Sequence, residues 1–108
     1  LELTLSIIDK ELLTEMKKLS NFALTIFENA MESLFDEDYE EADAVLRLSQ
    51  NTRQMESEIL QKIVKHAPPE DVPALRLIVE SILRTAEYGA DIAETVLNMT
   101  VRDAVREA

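Results

Sequence analysis

Apolar residues recur every three or four positions along almost the whole chain. This is the periodicity of α-helices that bury one face in a core. The 108 residues include only one glycine and three prolines, so few positions favour turns. The sequence therefore predicts an all-α fold of long helices and short loops.

Three amphipathic segments account for most of the chain. They are predicted to run from Asp9 to Leu34, from Tyr39 to His66 and from Val72 to Val105. Short connections between long helices favour neighbours that run in opposite directions. We therefore predict an antiparallel three-helix bundle over residues 9–108, with residues 1–8 as a linker stub or a helical extension.

Both connections have clear sequence signals. The acids at 36–38 suit the start of the second helix, where carboxylates oppose the positive end of the helix dipole. Pro68 and Pro69 cannot continue a helix, and Asp71 can cap the third one. The periodicity predicts these core positions: Leu12, Met16, Leu19, Ala23, Ile26, Ala30 and Leu34; Ala42, Val45, Leu46, Leu60, Ile63 and Val64; and Leu75, Val79, Ile82, Ala86, Gly89, Ala93, Val96 and Leu97.

Charge and cysteine content exclude several functions. The net charge of −11 repels phosphate backbones and anionic lipids, so we expect no direct nucleic-acid binding. No run of about 18 apolar residues occurs, so we expect no membrane insertion. The absence of cysteine excludes disulfides and thiol nucleophiles and favours a cytoplasmic location.

A polar interruption crosses the predicted core at mid-height. Ser49 and Arg53 lie on the inward face of the second helix, and Glu87 and Asp91 lie four apart on the third. Antiparallel helices joined near Glu70 would place these groups at equal heights. The pairs would be Arg53 with Glu87, Ser49 with Asp91, and Glu56 with Arg84, and we predict that these six residues form an inter-helix polar layer.

This layer has two interpretations. One is a set of salt bridges that fixes the helix register, because buried charges must be paired. The other is a metal site at Glu87 and Asp91, since hard cations need several converging carboxylate oxygens. Arg53 would place a guanidinium where the ion should lie. We therefore expect no cofactor, with one divalent or iron ion as the alternative.

The sequence does not favour catalysis. Its single histidine, His66, lies in the last turn of a predicted helix, where a cation is stabilised by the dipole. There is no Ser-His-Asp arrangement, and the single glycine excludes a phosphate-cradling loop. We predict that the protein is not an enzyme.

A second apolar stripe lies on the outward side of the third helix. Leu77, Tyr88 and Met99 are spaced by eleven residues, about three helical turns, and Ile92 lies beside them. Aligned exposed apolar residues indicate a contact surface. We predict that these four residues bind a protein partner, either a second copy in a homodimer or another domain.

The third helix also carries a family resemblance. Its stretch Leu-Arg-Thr-Ala-Glu-Tyr-Gly-Ala-Asp-Ile-Ala-Glu at 83–94 resembles the PhoU family's Leu-Glu-Arg-Ile-Gly-Asp-His-x-x-Asn-Ile-Ala-Glu, and Leu-Arg at 75–76 matches the residues that precede it. Residues 44–46 and 55–59 match the family's second helix. The likeness covers roughly Met16 to Val101.

The resemblance implies a cytoplasmic regulator without chemistry of its own. Its partners would be a phosphate-transporter ATPase or a sensor kinase. Related single bundles are fused to an AbrB-like DNA-binding domain or to potassium-transport modules, so a dimerisation module is an alternative function. A metal-binding bundle is another, because some members bind iron or other metals through Glu/Asp-x-x-x-Asp motifs. Glu87 and Asp91 keep that motif, whereas the second helix has Ser49 and Arg53 in place of the expected acids.

Overall fold

The computed structural model describes residues 10–107. This part of the chain contains no strand, which confirms the all-α fold, and it forms an elongated helical bundle of 60 × 20 × 17 Å. The predicted stub or extension at 1–8 lies outside the described residues. The helices are α1, Lys10–Phe35; α2, Tyr39–Ser49; α3, Thr52–His66; and α4, Val72–Glu107, which follows a short 3₁₀ turn at Pro69–Asp71.

The second predicted helix is two helices, so the prediction of one continuous element was wrong. The backbone N–H of Gln50 donates to the Arg47 carbonyl at 3.3 Å, a three-residue rather than a four-residue step. The Ser49 hydroxyl donates to the Leu46 carbonyl at 2.7 Å, and the Thr52 hydroxyl donates to the Ser49 carbonyl at 2.6 Å. Short polar side chains compete in this way for the carbonyls that an uninterrupted helix uses.

The connection from α1 to α2 follows the sequence signal. Asp38 is the N-cap of α2, and its Oδ1 accepts from the Glu41 N–H at 3.0 Å. Glu37 has a φ of 52°, in the left-handed region. The Asp38 N–H then donates to the Ser33 carbonyl at 3.0 Å, which satisfies an acceptor at the end of α1. These contacts tie the end of α1 to the start of α2.

The core consists of two clusters, one in each half of the bundle. The first joins the N-terminal half of α1, the α3 region and the N-terminal half of α4, through Leu12, Met16, Leu19, Ile59, Ile63, Ala67, Leu75, Val79 and Leu83. The second joins the later half of α1, α2 and the middle and later part of α4, through Ala23, Ile26, Ala30, Ala42, Val45, Ala86, Ala93 and Val96. Both clusters therefore share α1 and α4, whose mutual contact is the most extensive in the bundle.

One predicted core position on α3 is wrong. Val64 is 65% exposed, while Ile59 and Ile63 are buried. The polar junction at 49–52 starts α3 as a separate helix, so the inward face of α2 does not continue unchanged into α3. Leu60 is partly buried beside the first cluster.

Gly89 marks the closest approach of α1 to α4. A Cβ atom at this position would lie 2.9 Å from Ile26 Cγ2 and 2.9 Å from Phe27 Cα. Carbon atoms in ordinary contact are about 3.5–4.0 Å apart. α1 can therefore pack this closely only because Gly89 has no side chain, which explains why a glycine occurs inside a helix.

The end of α4 lies at the surface, and residues 101–107 are all exposed. Val101 and Val105 are its large apolar side chains. Among the described helices, including α4 with its 36 residues, none has a long enough apolar stretch to span a bilayer.

Candidate functional site

A cavity of about 400 Å³ lies beside the junction between α2 and α3. One side is formed by this junction and the first turn of α3, and the other by the middle of α4. The lining residues are Ser49, Gln50, Thr52, Arg53, Glu56, Leu83, Ala86, Glu87 and Ala90. The helix break and the small side chains Ala86 and Ala90 leave this space open.

The cavity brings together four of the six residues of the predicted polar layer. These are Ser49, Arg53, Glu56 and Glu87. Arg84 instead donates to the Ser81 hydroxyl at 3.3 Å, along its own helix. The sixth residue, Asp91, borders a separate shallow cavity with Leu34, Ile92 and Thr95.

The predicted salt bridges of this layer are not formed. Within residues 10–107 the ion pairs are Arg47–Asp43 at 2.9 Å, Lys62–Glu15 at 3.5 Å and Arg102–Asp103 at 3.9 Å. Arg53 and Glu87 are exposed, so water can solvate both charges without a direct contact. The Ser49 hydroxyl donates its hydrogen bond to the Leu46 carbonyl of its own helix. The expectation of desolvated, paired charges was therefore wrong for Arg53 and Glu87.

The donor set does not fit a hard cation. Glu56 and Glu87 contribute carboxylates to the cavity, but Arg53 lines it as well, and Asp91 lies outside it. In the part of the chain that the structure describes, no group of three or more His, Cys, Asp or Glu side chains could hold a metal ion. Two carboxylates beside a guanidinium provide too few oxygens for Mg²⁺ or Ca²⁺.

A comparison with protein-family profiles identifies the family of this chain. The profile of the PhoU domain matches residues 16–96. The chain belongs to the PhoU domain family. The match confirms the resemblance found in the third helix. Comparisons with curated proteins and with solved structures gave no match.

The matched part of this PhoU domain contains both core clusters except Leu12, and it contains the whole cavity. It ends at Val96, which is buried on α4. The family is generally regulatory in phosphate transport and is not enzymatic. The cavity therefore lies within the part of the chain that the profile matches, and the exposed end of α4 lies outside it.

Sequence reasoning missed part of the cavity lining of this PhoU domain. Gln50 and Thr52 line it because the helix breaks between them, and Leu83 contributes an apolar wall. The signal was the run Ser49-Gln50-Asn51-Thr52, whose side chains favour local bonds to the backbone. This run also fits a solvated helix face.

The four residues of the predicted partner surface differ in exposure. Leu77 and Tyr88 are each 58% exposed. Ile92 packs partly against the second core cluster, and Met99 is partly buried. All four remain on the outward half of α4, so the stripe exists as a surface feature.

In an acidic cluster at the start of α2, the pKa of one carboxyl group is raised. Partial burial raises the pKa of Glu41 above its ordinary value of 4.5, assisted by a hydrogen bond with Glu32 and by the charges of Glu32, Asp38 and Asp36. Folding therefore shifts the equilibrium of Glu41 towards the protonated carboxyl, compared with the unfolded chain. Mutual repulsion among these acids is a feature of the α1–α2 end of the bundle.

Proposed function

We propose that this PhoU domain is a regulatory or adaptor domain that controls the transport of phosphate, or of another ion, through protein–protein contacts. The observation that carries the proposal is the family match over residues 16–96. The mixed charges of the cavity and its lack of a nucleophile–base pair are consistent with a protein that carries out no chemistry.

The expected partner is a cytoplasmic protein, either a transporter ATPase or a sensor kinase. The charge of the chain supports a contact with a basic surface, because its net charge is −11 and complementary potentials steer association. The densest acidic surface is the start of α2, formed by Asp36, Glu37, Asp38, Glu40, Glu41 and Asp43. All of them except Glu41 are exposed.

We also infer that α2 and α3 run opposite to α1 and α4. The composition of the two clusters supports this direction. The start of α1 shares its cluster with the end of α3 and the start of α4, and the end of α1 shares its cluster with α2 and the later part of α4. In such an arrangement the acidic start of α2 lies at the same end of the bundle as the exposed end of α4.

We propose that regulation requires no resident metal, and the guanidinium of Arg53 in the cavity supports this view. The alternative, a metal-binding bundle, has no observation that favours it. The second alternative, a dimerisation module, is compatible with the regulatory function.

Deletion and complementation test the transport role. Cells that lack the gene are complemented with the wild type, with Glu40→Lys/Asp43→Lys or with Glu58→Lys, and the initial rate of phosphate uptake is measured together with rubidium uptake. We expect deletion to alter phosphate uptake, the wild type to restore it and the double α2 variant to restore it poorly. Glu58→Lys is the matched control, because Glu58 is an exposed acid on α3. Phosphate uptake that deletion leaves unchanged contradicts the phosphate role, and a change confined to rubidium points to potassium transport.

A further inference from the structure

Three charged side chains in the cavity beside the α2–α3 junction have no partner among the described residues. Arg53 and Glu56 belong to α3, and Glu87 belongs to α4 on the other side of the cavity. Within residues 10–107 no ion pair or hydrogen bond involves any of these three side chains. A structural salt bridge would join the guanidinium to one of the two carboxylates. The three charges are therefore available to a ligand that enters the cavity.

The cavity has the size and the walls of a small-molecule site. Its volume of about 400 Å³ lies within the range of roughly 300–1,000 Å³ that is usual for ligand pockets. Leu83, Ala86 and Ala90 give it an apolar wall on α4. Ligand sites usually combine such apolar surface with a few polar groups that orient the ligand. The three charged side chains are exposed or half-buried, so a ligand from solvent can reach them.

The signs of these charges select the class of ligand. The cavity has one guanidinium and two carboxylates, so a ligand that matches each of them has one carboxylate and two cationic groups. Such a ligand has a net positive charge, and the net charge of −11 on the chain attracts it. The same field repels phosphate and dicarboxylates. Basic amino acids such as lysine, ornithine and arginine carry this set of charges on an aliphatic chain.

We propose that this cavity binds a free basic amino acid as a regulatory ligand, with its carboxylate on Arg53 and its two cationic groups on Glu56 and Glu87. A planar guanidinium suits a carboxylate because it can donate two parallel hydrogen bonds to it. The aliphatic part of the ligand lies against the wall that contains Leu83 and Ala86. Because α3 and α4 both contribute charges, the bound ligand links these two helices.

A neighbouring cavity supplies a control for this assignment. It has a volume of about 520 Å³, adjoins the first cavity at Glu56, and includes Arg76 in its lining. One guanidinium and one carboxylate balance each other there, so this second cavity does not select a cationic ligand. Arg76 is exposed, as Arg53 is. Arg76→Gln therefore removes the same charge as Arg53→Gln without changing a group assigned to the ligand.

Isothermal titration calorimetry of the 108-residue chain with L-lysine tests the proposal, in salt of about 0.15 M to screen long-range attraction. Three analogues each lack one charged group of lysine: cadaverine lacks the carboxylate, norleucine the side-chain ammonium, and Nα-acetyl-lysine the α-ammonium. We expect lysine to bind with one site per chain and each analogue to bind about tenfold more weakly, as for loss of one charge-assisted contact. Nα-acetyl-lysine also represents a peptide that ends in lysine. Equal binding of this analogue would overturn the assignment to a free amino acid.

Substitutions identify the groups that hold the ligand. Arg53→Gln should weaken lysine binding about tenfold and remove the preference for lysine over cadaverine, because the carboxylate has lost its partner. Glu87→Gln should weaken lysine binding similarly and reduce the preference over norleucine or Nα-acetyl-lysine. Arg76→Gln and Glu28→Gln, an exposed position on α1, should not weaken binding. Circular dichroism checks that each variant is folded.

NMR of isotope-labelled alanine methyl groups locates the ligand. Lysine should shift the signals of Ala86 and Ala90, which line the cavity, and leave that of Ala104, at the exposed end of α4, unchanged. Absence of binding by lysine, ornithine and arginine at millimolar concentration overturns the proposal. Binding that Arg53→Gln and Glu87→Gln both leave unchanged, or that Arg76→Gln weakens as much, also overturns it. Uptake assays test the transport role separately, so either proposal can fail without the other.

Discussion

Gly89→Ala tests how closely α1 and α4 are packed. The new Cβ would lie 2.9 Å from both Ile26 Cγ2 and Phe27 Cα, and normal contact is about 3.5–4.0 Å. Because Phe27 meets it with backbone atoms, α1 must move away by roughly 0.6–1 Å. Overpacking of this kind costs about 1–3 kcal/mol. Because backbone atoms cannot move aside as a side chain can, we expect a cost in the upper part of this range, about 2–3 kcal/mol. Alanine regains about 1 kcal/mol of helix propensity, so the free energy of unfolding should fall by about 1–2 kcal/mol in total.

Urea unfolding followed by circular dichroism measures this difference, and the thermal midpoint should fall by about 4–8 °C per kcal/mol for a domain of this size. Ala44→Gly supplies the control, because Ala44 is exposed on α2 and reports the propensity difference without a packing change. If Gly89→Ala stabilises the protein by the amount that Ala44→Gly destabilises it, the site has free space and the close approach of α1 is refuted.

Three further predictions concern charged groups. Arg53 and Glu87 line one cavity without an ion pair, so a double-mutant cycle of Arg53→Ala with Glu87→Gln should give a coupling energy of about 0–1 kcal/mol; a larger value would require a direct contact. Glu41→Gln should raise the thermal midpoint at pH 7, because the raised pKa means that ionised Glu41 disfavours the folded state. This gain should disappear as the pH falls towards the ordinary carboxyl pKa of 4.5, and a gain that persists in acid would exclude ionisation as its cause. Ser49→Asp with Arg53→Asp should create a carboxylate-lined cavity that Mn²⁺ or Fe²⁺ stabilises in thermal melts, whereas the parent midpoint should not respond to either ion.

The sequence predicted the elements that a strong period defines. The bounds of α1 and α4 follow closely from it, because their apolar stripes are long and end at polar turns. The start of the second helix was also predicted from the acids at 36–38, because carboxylates there oppose the positive end of the helix dipole. The structure shows that Asp38 is the one that caps the helix. The family was visible in the third helix, where the motif residues are contiguous.

The sequence did not predict the break between α2 and α3. Polar residues at 49–52 are compatible with the exposed face of a continuous helix, and only the bonds of Ser49 and Thr52 to nearby carbonyls show that the helix ends. Equal-height pairing assumed an unbroken helix, so it grouped Arg53 with Glu87 correctly but overestimated their contact. The apolar period, read along one unbroken helix, also directed Val64 inwards. Details that depend on one helical junction cannot be obtained from periodicity alone.

The unequal lengths of the helices have a mechanical consequence. α4 has 36 residues, about 54 Å at 1.5 Å per residue, in a described body that is 60 Å long. It therefore spans nearly the whole length of the bundle and packs into both core clusters, whereas α2 and α3 each pack into only one of them. A force applied at one end reaches the other through α4 without crossing the junction at Gln50 and Asn51. The two halves can tilt relative to each other only when α1 and α4 bend together, so stiffness along the long axis resides in this pair of helices.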